Sequence, residues 1–231
     1  YHYYIANPEV LSEGVLRTWL LDTYGTAETL SSSISIHDRI LTEQIPSSQD
    51  FLATILEAMK SNTVLQMTFQ SFSMQEAKTF LVEPYCVKMS AQRWYMLARN
   101  VDYNYLRLYS LDRMEDVKLT DAHFVLPKDF CAKEYFAEYF GIVLDESAPL
   151  QRIVLRADKY HQHYMRTLPL HHSQKEIYAC DDYADFELTL RPTYDFYMKL
   201  MSFGNMIKVL EPESLQEKIY KWLEKTIEVY K

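Results

Sequence analysis

The spacing of apolar residues predicts helices at the beginning of the chain. Asn7-Pro8 is typical of a helix N-terminus, because Asn caps free amides and Pro fits the first helical position. Five apolar residues then share one helical face: Leu11, Val15, Leu16, Trp19 and Leu20. We expect this helix to end at Tyr24-Gly25, since glycine is common just after helices. A second helix is predicted with its buried face between Phe51 and Met59.

After Asn62 the period of the apolar pattern changes from 3.6 to 2, which is typical of strands. Strands are predicted over residues 64–70, 79–87, 93–101, 105–111 and 117–120, with short turns between them. Several short antiparallel strands joined by tight turns favour a small barrel of the SH3 or Sm kind. An aromatic helix over 132–140 and a polar linker over 145–149 follow.

The last third of the chain alternates between the two periods. Strands and helices are predicted over 152–156, 159–167, 174–179, 186–191, 194–203 and 207–210, in the order β-α-β-β-α-β that is typical of ferredoxin-like domains. A long helix over 214–230 closes the chain, with Ser214 and Glu217 as a possible capping box. The predicted class is therefore α+β, with a helical N-terminal linker (1–60), a barrel domain (61–145) and a ferredoxin-like domain (146–231).

The amino-acid composition disfavours several classes of protein function. The chain is 48% apolar and 24% charged, as in ordinary globular proteins, and it holds only 4 glycines, which disfavours glycine-rich phosphate loops. No apolar run is long enough to predict a membrane span. Cys86, Cys131 and Cys180 are far apart in sequence, so we expect free thiols in the cytoplasm and no metal or cofactor.

Charge is distributed unevenly along the chain. The formal net charge is −8, yet the segment 85–113 carries a local surplus of +3. The segment contains only two acidic residues, Asp102 and Asp112. Its five basic residues are Lys88, Arg93, Arg99, Arg107 and Arg113. One basic strip on an acidic body predicts a localised anion site and not a surface that grips duplex DNA.

Strand alternation suggests a geometry for this strip. Arg93 and Tyr95 share one face of their strand, and Arg107 and Tyr109 share one face of the next. If the Leu and Met sides form the core, these four residues line one outer surface. Guanidinium groups bind phosphate bidentately, and tyrosine rings stack on bases. The alternative is an ordinary solvated sheet face on which arginines pack against tyrosines.

Three segments in this region resemble a known family. Glu83-Pro84-Tyr85 is followed by Arg93-Trp94-Tyr95-Met96-Leu97-Ala98 and then by Leu106 to Met114, with matching order and spacing over about 30 residues. This pattern resembles the WYL domain, with Met96 in place of the Leu of its name. Ser173-Gln174 and Val209 to Glu213 resemble the extension that usually follows such domains.

The resemblance also concerns what precedes the chain. Tyr1 to Ile5 would fit the end of the wing of a winged helix-turn-helix, the usual N-terminal module of this family. We therefore expect the chain to be a piece of a longer protein. Contact with duplex DNA would belong to that N-terminal module.

The resemblance implies a bacterial transcription regulator, of which this chain is the ligand-sensing and homodimerising part, and not an enzyme. The expected ligand is a nucleotide or short single-stranded nucleic acid. Its expected contacts, in decreasing order of importance, are Arg107 and Arg113, then Arg93 and Tyr95, then Tyr85, Tyr109 and Ser71. The alternative function is a purely structural dimerisation scaffold without a ligand.

Catalytic and metal-binding alternatives find little support in the sequence. Ser110 or Cys86 could act as a nucleophile only beside a histidine, and neither residue lies in a known nucleophile motif. The pairs His161/His163 and His171/His172 lack the spacing and the acidic partners of a metal site.

Overall fold

The computed structural model describes residues 15–32, 39, 41 and 49–231. The chain forms two units, Tyr1–Ile45 and Pro46–Lys231. In the first unit, helix α1 (Val15–Ser32) continues through Gly25, so the predicted end at Gly25 is wrong. A glycine inside a helix costs only about 1 kcal/mol, and the surrounding helical hydrogen bonds offset it. The features predicted for residues 1–8 lie outside the described residues.

The second unit begins with helix α2 (Leu52–Ser61) and a five-stranded sheet. Its strands are β1 (Thr63–Phe69), β2 (Lys78–Ser90), β3 (Arg93–Asn100), β4 (Tyr105–Ser110) and β5 (Met114–His123). The order across this first sheet is β4-β3-β2-β1-β5, and every neighbouring pair is antiparallel. The predicted antiparallel strands are therefore present, and the α+β class is confirmed.

The first sheet is not closed into a barrel, so the predicted SH3- or Sm-like detail is not confirmed. Among the described strands, β5 pairs with β1 and β4 pairs with β3, and the two edges do not meet. Within β2 the register against β3 shifts between Pro84 and Cys86. Proline has no backbone N–H to donate, and such irregularities curve a strand.

Each face of the first sheet is covered by a separate apolar cluster. On one face, Ile55 and Ala58 of α2 are completely buried against Leu65, Met67 and Met96. On the other face, Phe124 and Phe130 of the segment after β5 form a smaller cluster with residues of the sheet: Val64, Tyr85 and Leu106. A sheet with two covered faces leaves its edge strands as the accessible places.

A second sheet forms the C-terminal part. Its elements are β6 (Gln151–Asp158), α4 (His161–Thr167), β7 (Lys175–Ala179), β8 (Tyr183–Leu190), α5 (Tyr194–Ser202), β9 (Ile207–Glu211) and α6 (Glu213–Val229). The strand order is β7-β8-β6-β9, with antiparallel pairing throughout. The predicted capping box is not formed, because Pro212 is the N-cap of α6 and its carbonyl accepts from the Leu215 and Gln216 amides.

The segment between the two sheets is fastened at several points. Its helix α3 (Ala132–Phe136) is shorter than the predicted 132–140. Lys88 of β2 donates to the Gly141 carbonyl at 2.7 Å. The Asp195 carboxylate of α5 accepts from the backbone amides of Ile142 at 2.7 Å and Val143 at 2.9 Å. This connecting segment (residues 131–149) therefore bonds to both parts.

We expect stability to depend on pH through His171, which lies near the connecting segment. Burial lowers the pKa of His171 to about 4, and the charges of His172 and Lys88 lower it as well. In the unfolded chain the pKa is near 6.5, so the unfolded state binds the extra proton first as pH falls. The free energy of unfolding should therefore decrease by about 2 kcal/mol between pH 6.5 and 4 through this group. The measurement is urea unfolding of wild type and His171→Gln across that range.

The matched control for this experiment is His163→Gln, a change at an exposed residue of α4. The His171→Gln variant should lose the pH dependence that His163→Gln retains. Identical pH profiles for the two variants would contradict the role assigned to His171.

Candidate functional site

The arginines separate into paired and unpaired groups. Residues 49–231 contain eight arginines, and six of these pair with carboxylates: Arg93, Arg99, Arg152, Arg156, Arg166 and Arg191. Within this described stretch, Arg107 and Arg113 form no ion pair. An unpaired guanidinium keeps its full capacity to bind an external anion bidentately. The two arginines expected to matter most are thus the two that remain available.

Arg107 is exposed on β4, an edge strand of the first sheet. It lies opposite Ala98 of β3, and its guanidinium carbon is 5.7 Å from the centre of the Tyr109 ring. The Tyr109 ring itself is only 1% exposed. Tyr109 therefore supports Arg107 from below and does not offer a stacking face to a base, contrary to the role predicted for it.

Arg113 lies in the 3₁₀ turn Leu111–Arg113 that joins β4 to β5. Its guanidinium carbon is 5.5 Å from the centre of the Phe69 ring and 4.7 Å from that of Phe72. Phe69 is buried, whereas Phe72 is 89% exposed. A cation over an aromatic ring is attracted by the ring face, which holds the guanidinium in place without neutralising its charge.

The two arginines belong to one continuous group of contacts. The rings of Phe69 and Tyr109 meet edge to face at 5.3 Å between centres, and each ring contacts one of the arginines. We call this set the arginine-aromatic cluster: Arg107, Arg113, Phe69, Phe72 and Tyr109. Buried rings fix the cluster within the core, and its two cations and the Phe72 ring remain for a ligand.

Two protein-family models match the chain. The WYL domain model matches residues 50–119, and the WCX domain model matches residues 149–227. This chain therefore contains a WYL domain followed by a WCX domain. The first sheet and α2 form its WYL domain, and the second sheet with its helices forms its WCX domain. The arginine-aromatic cluster lies entirely within the WYL domain.

Two solved structures are among those that match the chain. Proteasome accessory factor B/C (PafBC) of Arthrobacter aurescens shares 16% identity over 80% of this chain and 27% of its own, with a TM-score of 0.33. A CRISPR Cas-related protein shares 12% identity over 79% of this chain and 52% of its own, with a TM-score of 0.50. The chain thus spans about a quarter of the length of PafBC and about half of the length of the CRISPR Cas-related protein. No curated protein matches the chain in sequence.

The WYL strands place the predicted site residues on two faces and not on one. In the pairing of β3 with β4, Met96 lies opposite Tyr109, and Tyr95 lies opposite Ser110. Directly opposed residues of an antiparallel pair share a face. Arg93 and Tyr95 therefore point away from the side that carries Arg107 and Tyr109, and the predicted common surface of these four residues is wrong.

The remaining residues of the basic strip are engaged within the protein. Arg93 contacts Asp112 at 3.3 Å, and Arg99 forms two bonds of 2.7 Å with the buried Glu83. Lys88 bonds to the Gly141 carbonyl. Internal partners therefore satisfy three of the five basic groups, and the surplus available to a ligand is concentrated in Arg107 and Arg113.

The other predicted contact residues are buried. Tyr95 is 8% exposed, and burial raises its pKa above the ordinary value. Tyr85 stacks on Phe124 at 6.1 Å between ring centres, within the smaller apolar cluster. Ser71 is 5% exposed, and its hydroxyl lies 3.0 Å from that of Ser73. These residues shape the WYL domain from within.

A groove of about 1070 Å³ runs beside Arg107 along the edge strand β4. Its lining includes Tyr105 and Leu106 of β4 together with Phe130 and Tyr135. The groove also contains carboxylates that would repel a long polyanion: Asp129, Glu134 and Glu146. Apolar rings with mixed charge suit a ligand whose anionic group stays near Arg107.

Sequence reasoning missed Phe72 and Tyr105. Tyr105 is 43% exposed at the start of β4, and Phe72 follows β1 in a short polar segment. A lone aromatic ring between polar residues after a strand was the available signal for Phe72. Such a ring has no apolar neighbours in sequence to pack with, so exposure could have been expected.

The described residues give little that suggests other chemistry. No three His, Cys, Asp or Glu side chains among them gather as a metal site would require. Burial raises the pKa of Cys86 to about 11, which keeps its thiol protonated near neutral pH. No helix in the described part is long and apolar enough to cross a membrane.

Proposed function

We propose that this chain is the ligand-sensing and dimerising part of a bacterial transcription regulator. Its WYL domain binds an anionic ligand, a nucleotide or short single-stranded nucleic acid, at the arginine-aromatic cluster. Binding there changes the geometry of a homodimer and so controls a DNA-binding module that precedes this chain. The strand order β7-β8-β6-β9 supports a ferredoxin-like assignment for the WCX domain, which would contribute to dimerisation.

One observation carries the ligand assignment. Arg107 and Arg113 are the arginines of residues 49–231 without an ion pair, and each lies over an aromatic ring. A fixed, unpaired guanidinium binds phosphate with little loss of side-chain freedom. The exposed Phe72 ring beside Arg113 adds a platform on which a base can stack.

The small number of unpaired arginines also favours a small ligand. Proteins that grip duplex DNA make about 6–10 phosphate contacts. Two free arginines on a chain of net charge −8, beside a groove with carboxylates, supply far fewer. A mononucleotide or a single strand of a few nucleotides has a number of phosphates that two arginines can bind.

The decisive measurement compares labelled single-stranded and duplex oligonucleotides of the same sequence by fluorescence anisotropy. The chain should bind the single strand at least about tenfold more tightly, because only a single strand can offer an unstacked base to Phe72. Equal affinity for the two forms, or no binding of either, would favour the purely structural scaffold. Since we propose binding without turnover, mass analysis should recover the bound ligand chemically unchanged.

We also expect a homodimer, built through the N-terminal helices or the WCX domain. All five residues of β7 are exposed at an edge of the second sheet, which leaves a strand available for pairing with another chain. Light scattering at tens of micromolar protein should give twice the 27.4 kDa of one chain. A mass of a single chain under these conditions would rule the homodimer out.

A further inference from the structure

The WCX domain contains a pocket that the proposed function does not use. It has a volume of about 490 Å³ and lies where helices α5 and α6 begin. Its walls come from the connecting segment at Val143 to Pro149, from Thr193 and Tyr194, and from the first turns of α6. We call it the Thr193 pocket. Its size suits a small molecule of one or two rings.

Thr193, whose hydroxyl is buried, is one of the residues that line this pocket. Thr193 is 4% exposed, and its Oγ1 finds no hydrogen-bond partner among the residues that the structure describes. A buried hydroxyl without a partner costs free energy, which a ligand can recover by bonding to it. Thr193 is also the N-cap of α5, yet its side chain does not cap the helix. The hydroxyl is therefore left for something else.

Groups that attract negative charge border the same place, although the first turns of the two helices also carry Asp195 and Glu213. The N-termini of α5 (Tyr194–Ser202) and α6 (Glu213–Val229) both border the pocket, and helix N-termini attract negative charge. Lys218 also lines it, with its ammonium 4.0 Å from the centre of the Tyr197 ring. One carboxylate of the lining, Asp145, already accepts from the amide and hydroxyl of Ser147. This balance suits a ligand with one negative charge and disfavours a polyphosphate.

Aromatic rings provide the apolar wall. The Trp222 ring lies 5.8 Å from that of Tyr194 and 5.5 Å from that of Tyr197, measured between centres. Trp222 is half-buried and Tyr194 is 55% exposed, so both rings keep free faces. Flat apolar ligands pack on such rings by offset or edge contacts.

We propose that the Thr193 pocket is a second ligand site, which takes a small aromatic carboxylate. The ring packs against Trp222 and Tyr194. The carboxylate is held by Lys218 and the two helix N-termini and accepts a bond from the Thr193 hydroxyl. This site is in the WCX domain and is independent of the arginine-aromatic cluster, so the chain can respond to two chemically different ligands.

The test uses 4-fluorobenzoate and its neutral analogue 4-fluorobenzyl alcohol, observed by fluorine NMR in the presence of the full chain. The carboxylate should show the broader line and about tenfold tighter binding, as expected for a charge-assisted contact. Lys218→Gln should remove this preference, and Thr193→Val should weaken carboxylate binding about fivefold. Lys225→Gln, a change at an exposed residue of the same helix, is the matched control and should bind as wild type does.

Each outcome of this experiment decides the proposal. Equal binding of the two probes, no binding of either, or equal effects of Lys218→Gln and Lys225→Gln would overturn it. If Thr193→Val does not fold, the comparison of the two surface lysines still decides. Arg107→Ala should leave the fluorine signal unchanged, so a failure of the oligonucleotide proposal and a failure at this pocket can be distinguished.

Discussion

An Arg107→Ala variant is expected to bind a short single-stranded oligonucleotide about 1.5–3 kcal/mol more weakly than wild type, a loss of roughly tenfold to a hundredfold. Among the described residues the guanidinium pairs with no carboxylate, so its removal costs mainly the bond to the ligand. The Tyr109 ring beneath it remains packed in the core, so the fold should not change. Arg113→Ala should have a loss of similar size.

Salt titration separates this effect from a general loss of structure. Each phosphate contact to a single strand contributes about −0.7 to the slope of log affinity against log salt. Wild type with two contacts should therefore give a slope of about −1.4, and Arg107→Ala about −0.7. Arg152→Ala is the control, because this arginine of β6 is half-exposed and pairs with Glu187 and Glu211. A loss of affinity in the control equal to that of Arg107→Ala would refute the assignment.

Gly141→Ala is expected to lower the free energy of unfolding by about 3 kcal/mol. Gly141 has φ of +78°, a region that costs an ordinary residue about 1–2 kcal/mol. A Cβ there would also lie 2.4 Å from Oδ2 of Asp195. The carboxylate would have to move away and would lose its bonds to the Ile142 and Val143 amides. Loss of charge-assisted bonds adds the remainder.

A second glycine isolates the contribution of Asp195. Gly204 has φ of +58°, but a Cβ there would meet no described atom within 4 Å. Gly204→Ala should therefore cost only about 1–2 kcal/mol, for backbone strain alone. Urea unfolding of the two variants gives the comparison directly. If both lose the same stability, the carboxylate contact at Gly141 contributes nothing.

Much of the fold could be predicted because local patterns determine it. The change of period after Asn62, the turns between strands and the β-α-β-β-α-β order all depend on neighbouring residues in sequence. Closure of the first sheet depends instead on whether β4 reaches β5, which is a long-range property. Alternation within a strand could not decide this, and the barrel prediction is not confirmed for that reason.

The candidate site was predictable only in part. Charge and family resemblance singled out Arg107 and Arg113, and both are unpaired. The same reasoning could not determine the β3–β4 register, which puts Tyr95 opposite Ser110 and separates it from Arg107. Nor could it foresee that Arg93 and Arg99 find carboxylates, because Asp112 and Glu83 approach them through the fold.

The bonds of the connecting segment determine how the two domains respond to denaturation. Lys88 of the WYL domain reaches Gly141, and Asp195 of the WCX domain holds the two residues that follow it. Arg191 of the WCX domain also pairs with Glu138 at 2.6 Å. Neither domain can open without breaking bonds that stabilise the other. We therefore expect the opening of one domain to weaken the other, and either domain cut out alone to lose part of its stability.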